Sequence, residues 1–401
     1  MATIKQLIES QANAANINTS ALDLYKIVNA AVKEGGPVAL YDSAGVMPID
    51  SDYVGSLLST STGELYILDS AGGSWNILNG SALYYRPAIP GTNYGYFAGG
   101  NVAAQVTEIN KFPFANDTNI TLASGVLSIA AASAATSSSL TSGYISGGYS
   151  VTSPTSPIPI NYPTAIQKYS FATDANTTVI GAELDVGTRY SSSHVMNGSY
   201  GYTSGTSTFG GTPPLDTNLI WKFPFISENK VNIAGRSIGL KYSPGGHSSE
   251  THGYHSGGSI PTSTPTYTNV IDRFPFAADG DATDVGDLTL ARAFTASQSS
   301  STHGYLSGGQ SGPTDVYSVT IDKFAFASSA NATDVGDLSL GRKITAGASS
   351  TDYGYIANGQ KAPPTPAYTS SIEKFSFASD GNASSVGSTT TAKDGSNGLQ
   401  Y

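Results

Sequence analysis

The sequence predicts an all-β chain dominated by a six-bladed β-propeller, preceded by a small N-terminal helical stub and a separate β module. Three observations predict it. A core of Ile-x-Lys/Arg-aromatic-x-Phe recurs six times, starting at Ile109, Ile166, Ile220, Ile271, Ile321 and Ile372. Ahead of each copy lies a Gly-Tyr segment, at Gly95, Gly143, Gly201, Gly253, Gly304 and Gly354, most of them closed by two glycines. Successive Gly-Tyr marks fall about 48 to 58 residues apart, a period at which self-similarity signals a propeller or solenoid.

Residues 1–35 read as the helical stub, a docking or oligomerisation element. Ile4, Leu7, Ile8 and Gln11 share one face at helical spacing. A second helix starts at Thr19 or Ser20, either of which can cap it, and carries Leu24, Ile27, Val28, Ala31 and Val32 to the stop at Gly35-Gly36. Stripes this narrow do not stabilise short helices alone. Leu24, Ile27, Val28 and Val32 are therefore the expected docking residues.

Residues 36–90 read as a small β module. Its strand-like runs PVALYDS, YVGSLLSTS, ELYILDS and SWNILNG are separated by Gly-containing turns. ELYILDSAGGSWNIL is expected to form a hairpin, with Leu65, Ile67 and Trp75 facing inward.

Residues 91–401 read as the propeller, four strands to a repeat. Strand A is small and polar, as suits the innermost position around a channel. Strand B is the Gly-Tyr segment, and a Pro-, Ser- and Thr-rich loop follows it. Strand C is the Ile-x-Lys-Phe-x-Phe segment. Alternation sends its two aromatics to one face and its Ile and Lys to the other, both between blades, with the Lys reaching the rim. Strand D is the segment at 283–288 or 333–338. The first blade lacks a strand A of its own. Lys393 stands where Arg292 and Arg342 precede other A strands, so the C-terminus is expected to close the ring beside residues 95–100. The upstream segment 82–93 carries Pro87 and Pro90, which suit a central strand poorly.

An Arg, a small-residue strand, a Gly-Tyr strand ending in Gly-Gly, a variable loop and an aromatic strand resemble the kelch β-propeller repeat. The likeness covers residues 94–401 and departs from kelch in lacking the late Trp, with Leu288 or Leu338 nearest that role. IDRFPFA at 271–277 followed by ATDVGDL at 282–288 is similar to structural proteins of marine tailed phages, cyanophages in particular. The leader segments ALYDSAG, GELYIL and SWNIL share that similarity. Kelch-like folds host enzymes, adaptors and adhesins alike, so function must come from sites.

Charged residues make up 12% of the chain and the net charge is −10, which argues against a broad nucleic-acid surface. With no cysteine, disulfides, thiolate metal sites and the Cys-crosslinked Tyr of galactose-oxidase-type copper enzymes are excluded. No nucleophile elbow, HExxH or phosphate loop is present. His247, His252, His255 and His303 raise a metal site, and Asp279, Asp281, Asp284 and Asp287 raise calcium. The His sites, which alternate with Tyr in the repeat, read as structural, and the acids read as turn caps. No enzyme, cofactor or metal is therefore expected. Tyr149 and Tyr162, in the variable loop of the second repeat, are the expected ligand contacts. Tyr267, Tyr317 and Tyr368 keep a fixed distance from strand C and read as structural.

The first twenty residues do not read as a signal peptide, and no apolar run is long enough for a membrane-spanning helix to be expected. A chain with this turn-rich composition is then expected to reach the exterior by assembly into a virus particle. The expected function is that of a virion structural protein of a tailed phage. Its N-terminal region would contact other virion proteins, and its propeller would touch host polysaccharide or receptor. The alternative is a secreted or cell-surface carbohydrate-binding propeller without catalytic activity.

Overall fold

The computed structural model describes the backbone of four short strands between residues 40 and 77. Beyond them it describes residues 91–400 except 92, 103–105, 118–119, 140, 152–159, 186, 189–194, 205–217, 262–265, 313–315 and 363–366. The chain divides into two compact units, Met1–Arg86 and Pro87–Tyr401. The expected stub helices, with Leu24, Ile27, Val28 and Val32, lie outside the described residues.

In the first unit Leu40–Tyr41, Leu57–Thr60, Leu65–Leu68 and Trp75–Ile77 form one sheet in that order. The first two strands run parallel and the rest antiparallel. The expected hairpin is present, but its register pairs Trp75 with Leu68 and Asn76 with Ile67. Trp75 therefore belongs to the alternation of Tyr66 and Leu68, not to that of Leu65 and Ile67.

The second unit is a six-bladed β-propeller. The first blade takes Asn397–Gln400 as strand A, Tyr94–Ala98 as B, Glu108–Pro113 as C and Thr121–Val126 as D. Its innermost strand is thus the C-terminus, in register Asn397↔Ala98 to Gln400↔Gly95. The second blade is Ala135–Ser138, Ser142–Ser146, Ala165–Ser170 and Thr178–Glu183. In the third, Tyr200–Thr203, Leu219–Pro224 and Asn232–Arg236 form the sheet, with Met196 bridged to Gly201 on its inner side. The fourth, fifth and sixth repeat the A-B-C-D order from Gly245–Ser248 to Ser384–Ser388.

Strand C shows why these residues take this form. In all six copies the Ile, the residue after it and the first aromatic are buried, while the Lys or Arg is half-buried. Both faces of each sheet are covered by neighbouring sheets. Accordingly the apolar core is six clusters, one at each blade interface.

At each interface the Gly-Tyr tyrosine of one blade lies against both strand-C aromatics of the next. Tyr305 sits 5.3 Å from Phe375 and 4.7 Å from Phe377, centroid to centroid. The same contact recurs at Tyr96, Tyr144, Tyr202 and Tyr254. It closes the ring at Tyr355, between Phe112 and Phe114 of the first blade. Aromatic pairs at these separations add about 0.5–1.5 kcal/mol each beyond their area burial. The glycine before the tyrosine is required by the ring of its own strand-C partner: a Cβ on Gly304 would lie 2.4 Å from the Phe324 ring.

The innermost strands solve a hydrogen-bonding problem, since their inner edge has no strand to pair with. The last strand-A residue of each blade donates its N–H to the side chain of its counterpart in the next blade. Ser248 donates to Ser299 Oγ, Ser299 to Ser349 Oγ and Ser349 to Gln400 Oε1. Gln400 then donates to Ser138 Oγ, Ser138 to Met196 Sδ and Met196 back to Ser248 Oγ. The small polar residues of strand A are therefore acceptors as well as space-savers.

A second belt runs two residues ahead of strand A, where Ser133, Ser243, Phe294, Ile344 and Gly395 all have φ between 46° and 62°. Phe294 N–H donates to Ser243 O, Ile344 to Phe294 O, Gly395 to Ile344 O and Ser133 to Gly395 O. A β-branched residue such as Ile344 rarely adopts this conformation, and the inter-blade bonds hold it there.

Candidate functional site

Two faces of the propeller could meet a ligand. One carries the variable B–C loops and the D–A connections, the other the short A–B and C–D turns. On the loop face Tyr149 is only 8% exposed and its backbone is bridged to Ala132. The expectation that it contacts ligand is therefore corrected: the loop turns its start inward and leaves the ring little free surface. Tyr162 is half-buried. Tyr317, expected to be structural, stacks under Lys343, whose Nζ lies 4.8 Å from the ring centroid and also donates to Gln310 Oε1. Tyr267 and Tyr368 are likewise half-buried beside strand C.

The histidines divide into two kinds. His247 and His255 are fully buried and engaged on both ring nitrogens. His247 meets Ser256 Oγ at 2.7 Å and Gln298 O at 3.1 Å, and His255 meets Ser204 Oγ at 2.5 Å and Ser237 Oγ at 3.1 Å. Burial pushes the His255 pKa down to about 4; nearby Asp272 opposes this and Lys241 adds to it. His252 and His303 are half-buried at the short-turn face, where the other repeats place Tyr94, Ser142, Tyr200 and Tyr353. The strand-C lysine lies over the ring at Tyr94, Tyr200 and Tyr353. Among the described residues no group of three or more His, Asp or Glu side chains is placed to hold a metal ion.

The Asp-rich turn is engaged as well. Asp279 pairs with Lys222 at 2.5 Å, and Asp284 accepts from the Gly286 N–H, as Asp334 does from Gly336. These are the turn-capping roles expected of such carboxylates.

The charges form two sets. An outer set joins five of the six strand-C cations to an acid three residues beyond the second aromatic of the next blade. Lys111 meets Asp174, Lys168 meets Glu228, Lys222 meets Asp279, Lys323 meets Asp380 and Lys374 meets Asp117, at 2.5 to 2.9 Å. The strand-C lysines expected at the rim thus cross to the neighbouring blade. Burial, and then the adjoining carboxylate, push the Tyr144 and Tyr169 phenols up, so both remain donors to Glu228 and Asp174.

The inner set is buried and lies within single blades. Lys241 pairs with Asp272, Arg292 with Asp322 and Arg342 with Glu373, at 2.9 to 3.0 Å. In the first blade Lys393 reaches Glu108 at 2.7 Å, because the usual acid position there is Asn110, which accepts from Thr390 N–H instead. In the third blade that position is Trp221, whose indole donates to Asp185.

No protein-family model matches the sequence, and no curated protein matches it. Among the described residues no helix is long and apolar enough to cross a membrane.

The His255 environment carries a pH prediction. Its folded pKa near 4 lies below the unfolded value of about 6.5, so the unfolded chain takes up the proton first. Stability is then full above pH 6.5 and falls as the pH drops toward 4, by at most about 3 kcal/mol from this group. Urea midpoints measured at pH 7 and 4.5 should fall less in His255→Gln than in the unchanged chain.

Proposed function

We propose that this chain is a structural protein of a tailed-phage particle. Residues 1–35 anchor it to other virion proteins, and the propeller faces outward to contact the host surface. The observation that carries the reading is the use made of the side chains that could have done chemistry. The buried acids, bases and histidines of the described residues are engaged by ring-building partners within or between blades. What remains for contact is a rigid ring with loops rich in Ser, Thr, Pro and Tyr, a composition suited to polar recognition at low entropic cost. The particle itself is suggested by the similarity of the repeat phrasing and leader to phage structural proteins. Kelch-like enzymes remain an analogy of fold alone.

Deleting residues 1–35 tests the anchoring role. The truncated chain should retain a cooperative unfolding transition and should not enter particles. Incorporation at the normal copy number would contradict it.

A further inference from the structure

Five of the six blade interfaces carry the outer ion pair, and the sixth does not. Between the fourth and fifth blades the cation is Arg273, and Ser329 stands where the other blades place Asp or Glu. Among the described residues no carboxylate pairs with Arg273. The neighbouring interface shows what is missing. There Lys323 binds both oxygens of Asp380, at 2.9 and 3.0 Å, and the His303 imidazole lies within the influence of both charges. His252, its counterpart, is pushed down by burial and then by Arg273, and no carboxylate opposes them.

The substitution of the cation matters too. Arg273 is the only arginine among the six strand-C cations, at the only interface without an acid. Its planar fork grips a carboxylate through two parallel N–H bonds from separate nitrogens, where Lys323 reaches both oxygens of Asp380 from one. It is half-buried beside the Tyr254 hydroxyl, so a bound anion would be partly shielded from solvent. The exposed residues flanking this position along the chain mix hydroxyls with methyl groups: Thr251, Ser328 and Ser329 beside Ala277, Ala278, Ala327 and Ala330. Glu250, exposed on the same turn as Thr251, is not among the influences on His252.

We propose that the carboxylate of a bound ligand takes the place of the missing acid at this interface, held by Arg273. A rim that alternates hydroxyls with small methyl groups fits a carboxylate carried on a ring with both hydroxyl and C–H faces, the class of the uronic-acid sugars. The site lies on the short-turn face, opposite the variable loops, and would serve a free or a particle-borne propeller alike.

Calorimetric titration of the full chain with glucuronate tests this, with glucose as the neutral control and sulfate as the simple anion. Glucuronate should bind, glucose should not, and sulfate should bind more weakly. Arg273→Ala should weaken glucuronate binding at least about tenfold. Ser329→Asp supplies the missing acid from within the chain, so it should weaken binding as much while raising the melting temperature. No binding of glucuronate to the unchanged chain, or binding unaltered in both variants, would overturn the proposal. Sulfate binding as tightly as glucuronate would overturn the assignment to a sugar acid.

Discussion

Replacing Asp322 by alanine should destabilise the propeller by about 3–5 kcal/mol, the usual cost of leaving one member of a buried ion pair without the other. Arg292 and Asp322 are both fully buried. Asp322 accepts from Arg292 Nη1 at 2.9 Å, from Thr289 Oγ1 at 2.6 Å and from Thr289 N–H at 3.1 Å. Burial lowers the Arg292 pKa from its ordinary value, and Asp322 is the main influence opposing that. Its removal strands a guanidinium in the interior and takes the acceptor from two donors of Thr289, an exposed residue. By contrast, Lys323→Ala in the same strand should cost under about 1 kcal/mol, because its pair with Asp380 is partly exposed. Urea denaturation of the two variants checks the ranking. Equal costs would mean that the two sets of charges are not energetically distinct. The third blade already dispenses with the acid by placing Trp221 there and reversing the direction of the bond to Asp185. The structural need is a satisfied group at that position, not a charge as such.

Deletion of residues 392–401 should have the other large effect. It removes the innermost strand of the first blade and the Lys393–Glu108 pair. It also removes Leu399, fully buried in the cluster between the first and second blades. Burying one such leucine contributes about 1.5–3 kcal/mol. The deletion also opens the strand-A belt at Gln400, leaving the Ser349 N–H without its acceptor. A total loss of several kcal/mol should lower the melting temperature on the order of 10 °C. The transition should shift as a whole, because every blade interface belongs to one closed ring. A small early transition with the main one unmoved would show that the first blade unfolds independently.

These features were legible in the sequence to different degrees. Blade number, strand-C alternation and ring closure could be read because each rests on a recurring local pattern. The position of Lys393 relative to Arg292 and Arg342 was enough to assign the C-terminal strand. The circumferential networks were not read, because a repeat shows what recurs along the chain and not which neighbour completes it. One signal was available: Asp117, Asp174, Glu228, Asp279 and Asp380 all fall three residues after the second aromatic, and Ser329 alone breaks the series. Tyr149 was misplaced for a related reason. Its loop composition suggests exposure, while the bridge to Ala132 that buries it joins segments whose pairing no local motif announces.

The functional account is tested most directly by a mass-spectrometric protein inventory of purified tailed-phage particles produced in cells carrying this gene. Peptides from this chain are expected at a stoichiometry comparable with other structural proteins, retained through density-gradient purification. Its absence from the particles, with the intact chain recovered from the cell surface or the medium, would contradict that account and favour a free carbohydrate-binding propeller.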